Sequence, residues 1–123
     1  MKFLTPRILP SLFVATLIFL VSHIPGEEFD VPQSVPSIRL DFVYHTTVYF
    51  ILATSICIGL KTRSVSTNLI VILVVFAYGV SDELHQFYVP GRSPSIMDVM
   101  FDLVGTILGV SASGAYNRRR SNK

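Results

Sequence analysis

The sequence predicts an all-α, polytopic membrane protein: a bundle of four transmembrane helices with both termini on the cytoplasmic side. Three observations carry this reading. Half of the 123 residues are hydrophobic, only 15% are charged and the mean hydropathy is +0.57, too apolar for a water-soluble domain of this length. The apolar residues gather in four segments, each close to the roughly 20 residues that an α-helix needs to cross a bilayer. The charges are sorted between the ends of those segments. Lys2 and Arg7 precede the first, Lys61 and Arg63 separate the second from the third, and Arg118, Arg119, Arg120 and Lys123 follow the fourth. The eight acids, Glu27, Glu28, Asp30, Asp41, Asp82, Glu83, Asp98 and Asp102, fall toward the opposite ends, accompanied only by Arg39 and Arg92. Because cytoplasmic loops are enriched in Lys and Arg, the chain is read as N-in and C-in, a multi-pass protein of the plasma (inner) membrane.

The first helix is expected from about Ile8 to Ile24. Lys2 and Arg7 before an apolar run also fit a secretory signal peptide, but no A-x-A-like cleavage site precedes Pro25-Gly26, so the helix is expected to be retained. Pro10 falls in its first turn, where a missing backbone N–H costs little. The second helix is expected from about Asp41 to Leu60, the third from Asn68 to Phe87 and the fourth from Ile96 to Tyr116. Between the last two, Pro90-Gly91-Arg92-Ser93-Pro94 predicts a type II turn, with Pro90 at the first central position and Gly91 supplying the positive φ of the second. That turn aims Arg92 back over the helix ends. With no internal repeat or low-complexity tract, residues 1–123 are expected to form one integral membrane domain. Cys57, the only cysteine, lies in an apolar run, so it forms no intramolecular disulfide, implies no thiolate metal site and is expected to be lipid-facing or packed. The pI near 8.9 does not indicate nucleic acid, since the basic residues sit in short runs beside apolar segments.

Ionisable groups interrupt these apolar segments: His45 in the second, Asp82-Glu83-Leu84-His85-Gln86 in the third, Asp98 and Asp102 in the fourth. A charge at such depth costs roughly 2.5–3.5 kcal/mol on insertion scales, which marks a polar site. The alternating topology brings His45, Asp82 and Asp102 to one depth beneath the outer surface. Helical phase agrees with convergence. Asp98, Asp102, Gly105, Gly109 and Ala112 form one stripe, Gly79, Asp82 and Gln86 a second, and Asp41, His45 and Tyr49 a third. Gly105-x-x-x-Gly109 permits close helix approach and turns the first stripe toward its neighbours.

Each of these residues also has a structural reading. Ser95-Ile96-Met97-Asp98 fits the capping box, in which Ser95 and Asp98 satisfy free N–H groups at the start of the fourth helix. Asp41 suits the positive end of the second helix. Arg92 fits either a clasp on Asp82 or Glu83, or a hold on an anionic head group. His45 serves as a packing residue, a ligand or a base, and His23 is expected to be solvated. Asp82-Glu83-x-His85 is not a recognised metal spacing, so no metal is assigned. No cofactor is expected, because nothing matches a P-loop, a nucleophile elbow or a zincin helix.

The run from Tyr78 to Asp98, with Gly79, Asp82, Glu83, Gln86, Pro90, Arg92 and Asp98 in place, resembles the G-x-x-D-E-x-x-Q-x-x-x-P-x-R-x-x-x-x-x-D signature of VanZ-like membrane proteins. Asp41-Phe42-Val43-Tyr44-His45 is similar to the D-K-x-x-H of the same family, and Ser22-His23-Ile24-Pro25-Gly26 is in keeping with its first turn. The resemblance covers roughly Asp41 to Gly109. Two positions depart from it: Phe42 stands where the family usually carries lysine, and Asp102 where it usually carries asparagine. One outer cation is lost and one acid gained, which gives this site a different charge from that of typical members.

The resemblance implies an envelope protein, since the name-giving member is associated with teicoplanin resistance. Two classes of function fit. In one, Asp41, His45, Asp82, Glu83, Gln86, Arg92, Asp98 and Asp102 line an outer-leaflet site that binds an anionic lipid or lipid-linked envelope precursor without chemistry and alters glycopeptide susceptibility. In the other, the chain is a small membrane-embedded enzyme acting on a lipid or lipid-linked glycan head group. There Asp82 or Glu83 is the base, His45 or His85 the acid or a metal ligand, and Arg92 the anchor of the head group.

Overall fold

The computed structural model describes residues 7–26, 37–62 and 64–121, and all of their regular structure is helical. Four helices follow in order: α1 (Leu9–Ser22), α2 (Ser37–Leu60), α3 (Val65–Gln86) and α4 (Ile96–Ser121). Of the charges used above, Lys2, Glu27, Glu28, Asp30, Arg63 and Lys123 lie outside the described residues, as do the side chains of Arg39, Arg118 and Arg120.

The helix ends follow from local chemistry. Proline occupies the first turn of α1. The helix stops two residues before the expected Ile24, because a residue preceding a proline is pushed away from helical backbone. The chain leaves in a tightened turn, with the N–H of Ile24 donating to Val21 O at 3.1 Å. At 14 residues, α1 is about 21 Å long, against the roughly 30 Å of a hydrocarbon core. Three segments are long and apolar enough to cross a membrane, Leu40–Leu60, Val65–Gln86 and Ile96–Asn117. α3 begins three residues earlier than expected because Ser64 caps it, its Oγ accepting from the Thr67 N–H at 3.1 Å.

α2 ends in a Schellman motif. The Thr62 N–H donates to Cys57 O at 3.0 Å and the Lys61 N–H to Ile58 O at 3.2 Å. Lys61 takes the left-handed position usually given to glycine, at φ 53°. The Asn117 amide of α4 reaches across to this turn and donates to Cys57 O at 3.4 Å and Thr62 O at 3.1 Å.

α2 and α4 form the closest pair. A Cβ at Gly105 would collide with the Thr46 carbonyl, and one at Gly109 would meet the Phe50 carbonyl and the Thr54 hydroxyl. The Thr54 Oγ1 donates to Gly109 O at 3.3 Å across the same seam. The small-residue stripe is therefore an interface, with one correction. Ala112 is exposed, and the buried face continues instead through Val110, Ser113 and Asn117. Tyr78 ties α3 to α1, its hydroxyl donating to Ala15 O at 2.7 Å.

Ile18, Tyr49, Leu52, Ala53, Cys57, Val71, Val75 and Val110 form a small apolar core, which places Cys57 in packing rather than at the lipid face. Larger apolar side chains such as Phe13, Leu69, Leu73 and Leu108 point outward. An exterior of this kind suits a lipid solvent.

Candidate functional site

All four helices deliver polar side chains to the end of the bundle opposite the Lys61 turn. α1 supplies Ser22 from its last turn, and α2 supplies His45 from near its start. α3 supplies Asp82, Glu83 and Gln86 from its last turn, and α4 supplies Asp98 and Asp102 from its first two. His45, Asp82, Glu83, Gln86 and Asp102 are each 5% exposed or less. In that setting each polar atom needs a partner.

Two networks meet here. In the first, the Ser22 hydroxyl donates to Asp82 Oδ2 at 2.6 Å, and the Gln86 amide donates to Asp82 Oδ2 at 3.4 Å and Glu83 Oε1 at 3.2 Å. Glu83 Oε2 then accepts the Ser95 backbone N–H at 2.8 Å. In the second, His45 Nδ1 lies 2.8 Å from Asp102 Oδ1, and His45 Nε2 faces Asp98 Oδ2 at 3.7 Å. Oδ1 of Asp82, Oδ2 of Asp102 and the Tyr49 hydroxyl are buried without a hydrogen-bond partner. Asp102 Oδ2 is turned toward Gly79, where a Cβ would lie 2.8 Å away, so Asp102 occupies the space that this glycine leaves open.

The N-terminus of α4 amends the capping-box expectation. Ser95 Oγ does accept the Asp98 N–H, at 3.3 Å. The Ser95 N–H is bonded by Glu83 of the neighbouring helix, so half of the box is supplied by α3. A carboxylate at a helix N-terminus is favoured by the helix dipole whichever chain segment provides it. Asp98 is thereby turned toward His45.

The turn between α3 and α4 has the expected geometry. Gly91 has φ 71°, and the Arg92 N–H donates to Val89 O at 3.1 Å, which closes a type II turn around Pro90 and Gly91. Gly26 packs against the Gly91 carbonyl and donates its N–H to Pro90 O at 3.0 Å, which fastens the end of α1 to this turn. The Arg92 guanidinium donates to Val21 O at 3.2 Å and Ile24 O at 3.2 Å. Arg92 therefore clasps one carbonyl in the last turn of α1 and one just beyond it, a role that neither sequence reading of it foresaw. His23, expected to be solvated, is exposed and also pairs with His85, their ring nitrogens 3.1 Å apart.

Beside the polar cluster a cleft of about 780 Å³ lies between the end of α1, the first half of α2 and the turn. Asp41, Tyr44, His45 and Arg92 give it polar lining, and Val21, Leu40, Val43 and Val48 give it apolar walls. Asp41, predicted as a site residue, is exposed at this cleft rather than inside the cluster. Sequence reasoning did not single out Tyr44 or the carbonyls at the end of α1 that accept from Arg92. The available signals were an aromatic residue at the predicted interfacial level of α2 and the Ser22 to Gly26 turn.

A family model described as VanZ/LLP1 matches residues 7–115. The chain belongs to the VanZ/LLP1 family. The match runs from Arg7, two residues before α1, through most of α4 and includes every side chain of the cluster and the cleft. Comparison with curated proteins and with solved structures gave no match. Together with the three long apolar helices, the match makes this a membrane protein of the VanZ/LLP1 family.

Proposed function

We propose that this VanZ/LLP1 protein holds an anionic lipid or lipid-linked head group at the outer leaflet of the plasma membrane. The observation that carries the reading is the cleft of about 780 Å³, which sets a guanidinium, an imidazole and a tyrosine, beside the exposed Asp41, against apolar walls. In a chain with three helices able to cross a membrane, a lipid uses both parts of such a cleft: a cationic contact for its head group and an apolar surface for its chains. The sorting of Lys and Arg supports an N-in, C-in chain crossing four times. The short α1 is the fourth crossing, accommodated by local bilayer thinning. On this reading the protein acts by binding, and it alters glycopeptide susceptibility by changing how envelope precursors are presented.

A second reading, a small membrane enzyme acting on the same head group, is favoured by one observation: His45 is held between two carboxylates, an arrangement that suits a base or acid. Purification in mild detergent with native lipids, followed by mass spectrometry, tests both. Binding predicts an anionic lipid or lipid-linked sugar retained near one per chain and depleted in the Arg92→Ala and His45→Ala variants. Turnover of the retained lipid on incubation selects the enzyme reading. Retention that is unselective and identical in the variants overturns the site.

A further inference from the structure

The 3.7 Å between His45 Nε2 and Asp98 Oδ2 is too long for a hydrogen bond, yet the buried imidazole faces the partly buried carboxylate. Asp102 accepts from Nδ1 on the other side of the ring, at 2.8 Å. With Nδ1 carrying the proton, Nε2 presents a lone pair to a carboxylate, an arrangement that a cation between them, a proton or a metal ion, stabilises. A shared proton would draw the pair to a hydrogen-bond distance. A metal ion holds them further apart, because ligands about 2.1 Å from a tetrahedral ion lie about 3.4 Å from one another. Glu83 supplies a third donor: one ligand atom each from His45, Glu83 and Asp98 all lie within 4.8 Å of one another.

We propose that His45, Glu83 and Asp98 bind one divalent first-row transition ion, Zn²⁺ or Mn²⁺, with Asp102 positioning the imidazole. The three ligands come from three different helices, α2, α3 and α4, so the bundle itself sets their spacing. The surrounding shell is already in place. Asp102 orients His45, and Ser95 and Gln86 orient Glu83, as the outer partners of metal ligands do. The trio is less enclosed on the Asp98 side, whose side chain is 16% exposed against 7% for His45. An imidazole beside two carboxylates favours Zn²⁺ or Mn²⁺ over Mg²⁺ and Ca²⁺, which prefer oxygen alone. Charge argues the same way. Four carboxyls, those of Asp82, Glu83, Asp98 and Asp102, meet at this end, where Arg92 is the one arginine or lysine among the described side chains. Three protein ligands leave a position open for a further oxygen. The ion site stands whether or not the cleft holds a lipid.

The test uses the full chain in detergent, stripped with chelator and titrated calorimetrically with Zn²⁺ and Mn²⁺ alone. One equivalent is expected to bind. His45→Ala, Glu83→Gln and Asp98→Asn should each weaken it at least tenfold, and Asp102→Ala should weaken it about 10–100-fold through the imidazole. The exposed His23 and His85 pair is the competing site, and the His23→Ala/His85→Ala variant should bind as wild type. Asp98→Asn, at the rim, keeps the test decisive if His45→Ala does not fold, and circular dichroism of the stripped variants reports folding separately. Absence of saturable binding by the wild type overturns the proposal. So does binding that survives Asp98→Asn and Glu83→Gln but is lost without His23 and His85.

Discussion

His45 Nδ1 and Asp102 Oδ1 lie 2.8 Å apart across the seam between α2 and α4, with the two residues 5% and 1% exposed. The bond joins the two most closely packed helices at the level where their backbones are brought together by Gly105. Water cannot replace either partner at such burial, so the pair sets the register of the seam as well as the orientation of the imidazole.

Replacing Asp102 by Ala leaves the His45 Nδ1–H buried and unpaired, and is expected to cost about 1–3 kcal/mol. Asp102→Asn keeps an oxygen that can accept from the imidazole and should cost less. Thermal unfolding in detergent, followed by circular dichroism, measures both. An alanine variant as stable as wild type would show that the pair contributes nothing to the bundle.

Gly105→Leu drives a side chain into the Thr46 carbonyl and should force α2 and α4 apart, destabilising the protein by about 3 kcal/mol or more. Ala112→Leu on the same helix adds bulk at an exposed position and should be tolerated within about 0.5 kcal/mol. The contrast is read from detergent stability. Equal loss in both variants would mean that the seam does not distinguish the two faces.

The helical fold and the polar end were legible because the bilayer imposes length, polarity and charge sorting on the sequence itself. The glycine stripe was legible as far as Gly109. It failed at Ala112 because two residues one step apart on a helix compete for the same interface, and the position taken by Ser113 is set by where α2 lies. Glu83 and Ser95 illustrate a different limit. A capping box is a local pattern, and nothing local reveals that a carboxylate twelve residues upstream takes the Ser95 N–H. The trio of His45, Glu83 and Asp98 is invisible to spacing rules for the same reason, since its members reach one another only through packing.

Glu83 rather than Asp98 bonds the N–H of Ser95, the residue before α4, so the two acids should separate in hydrogen exchange. Glu83→Ala is expected to raise amide exchange over residues 95–99 and to cost about 1 kcal/mol, the usual worth of a helix cap. Asp98→Asn should leave that exchange near wild type. The reverse pattern would restore Asp98 as the cap.

Topology is tested with single cysteines in a chain where the buried Cys57 has been replaced by Ser. Ser93→Cys, exposed in the turn between α3 and α4, should react with an impermeant maleimide added to intact cells. Ser64→Cys, exposed at the other end of the bundle, should react only after permeabilisation. Thr62 is unsuitable as a probe because its burial would protect it on either side. External labelling at position 64 inverts the proposed orientation.

Arg92 tests whether the clasp on α1 and the cleft form one unit. Its guanidinium reaches Val21 and Ile24 with two separate nitrogens, a fork that a lysine ammonium does not reproduce. Arg92→Lys should therefore keep the charge at the cleft, loosen the end of α1 and lose about 1–2 kcal/mol of stability. If head-group binding needs the position of the charge as well as its sign, Arg92→Lys should retain much less of the co-purified lipid than wild type. The Arg92→Ala/His45→Ala double variant should then retain no less lipid than either single variant, because groups that hold one ligand together are not additive. Losses that simply add would place the two side chains at independent contacts and divide the cleft into separate surfaces.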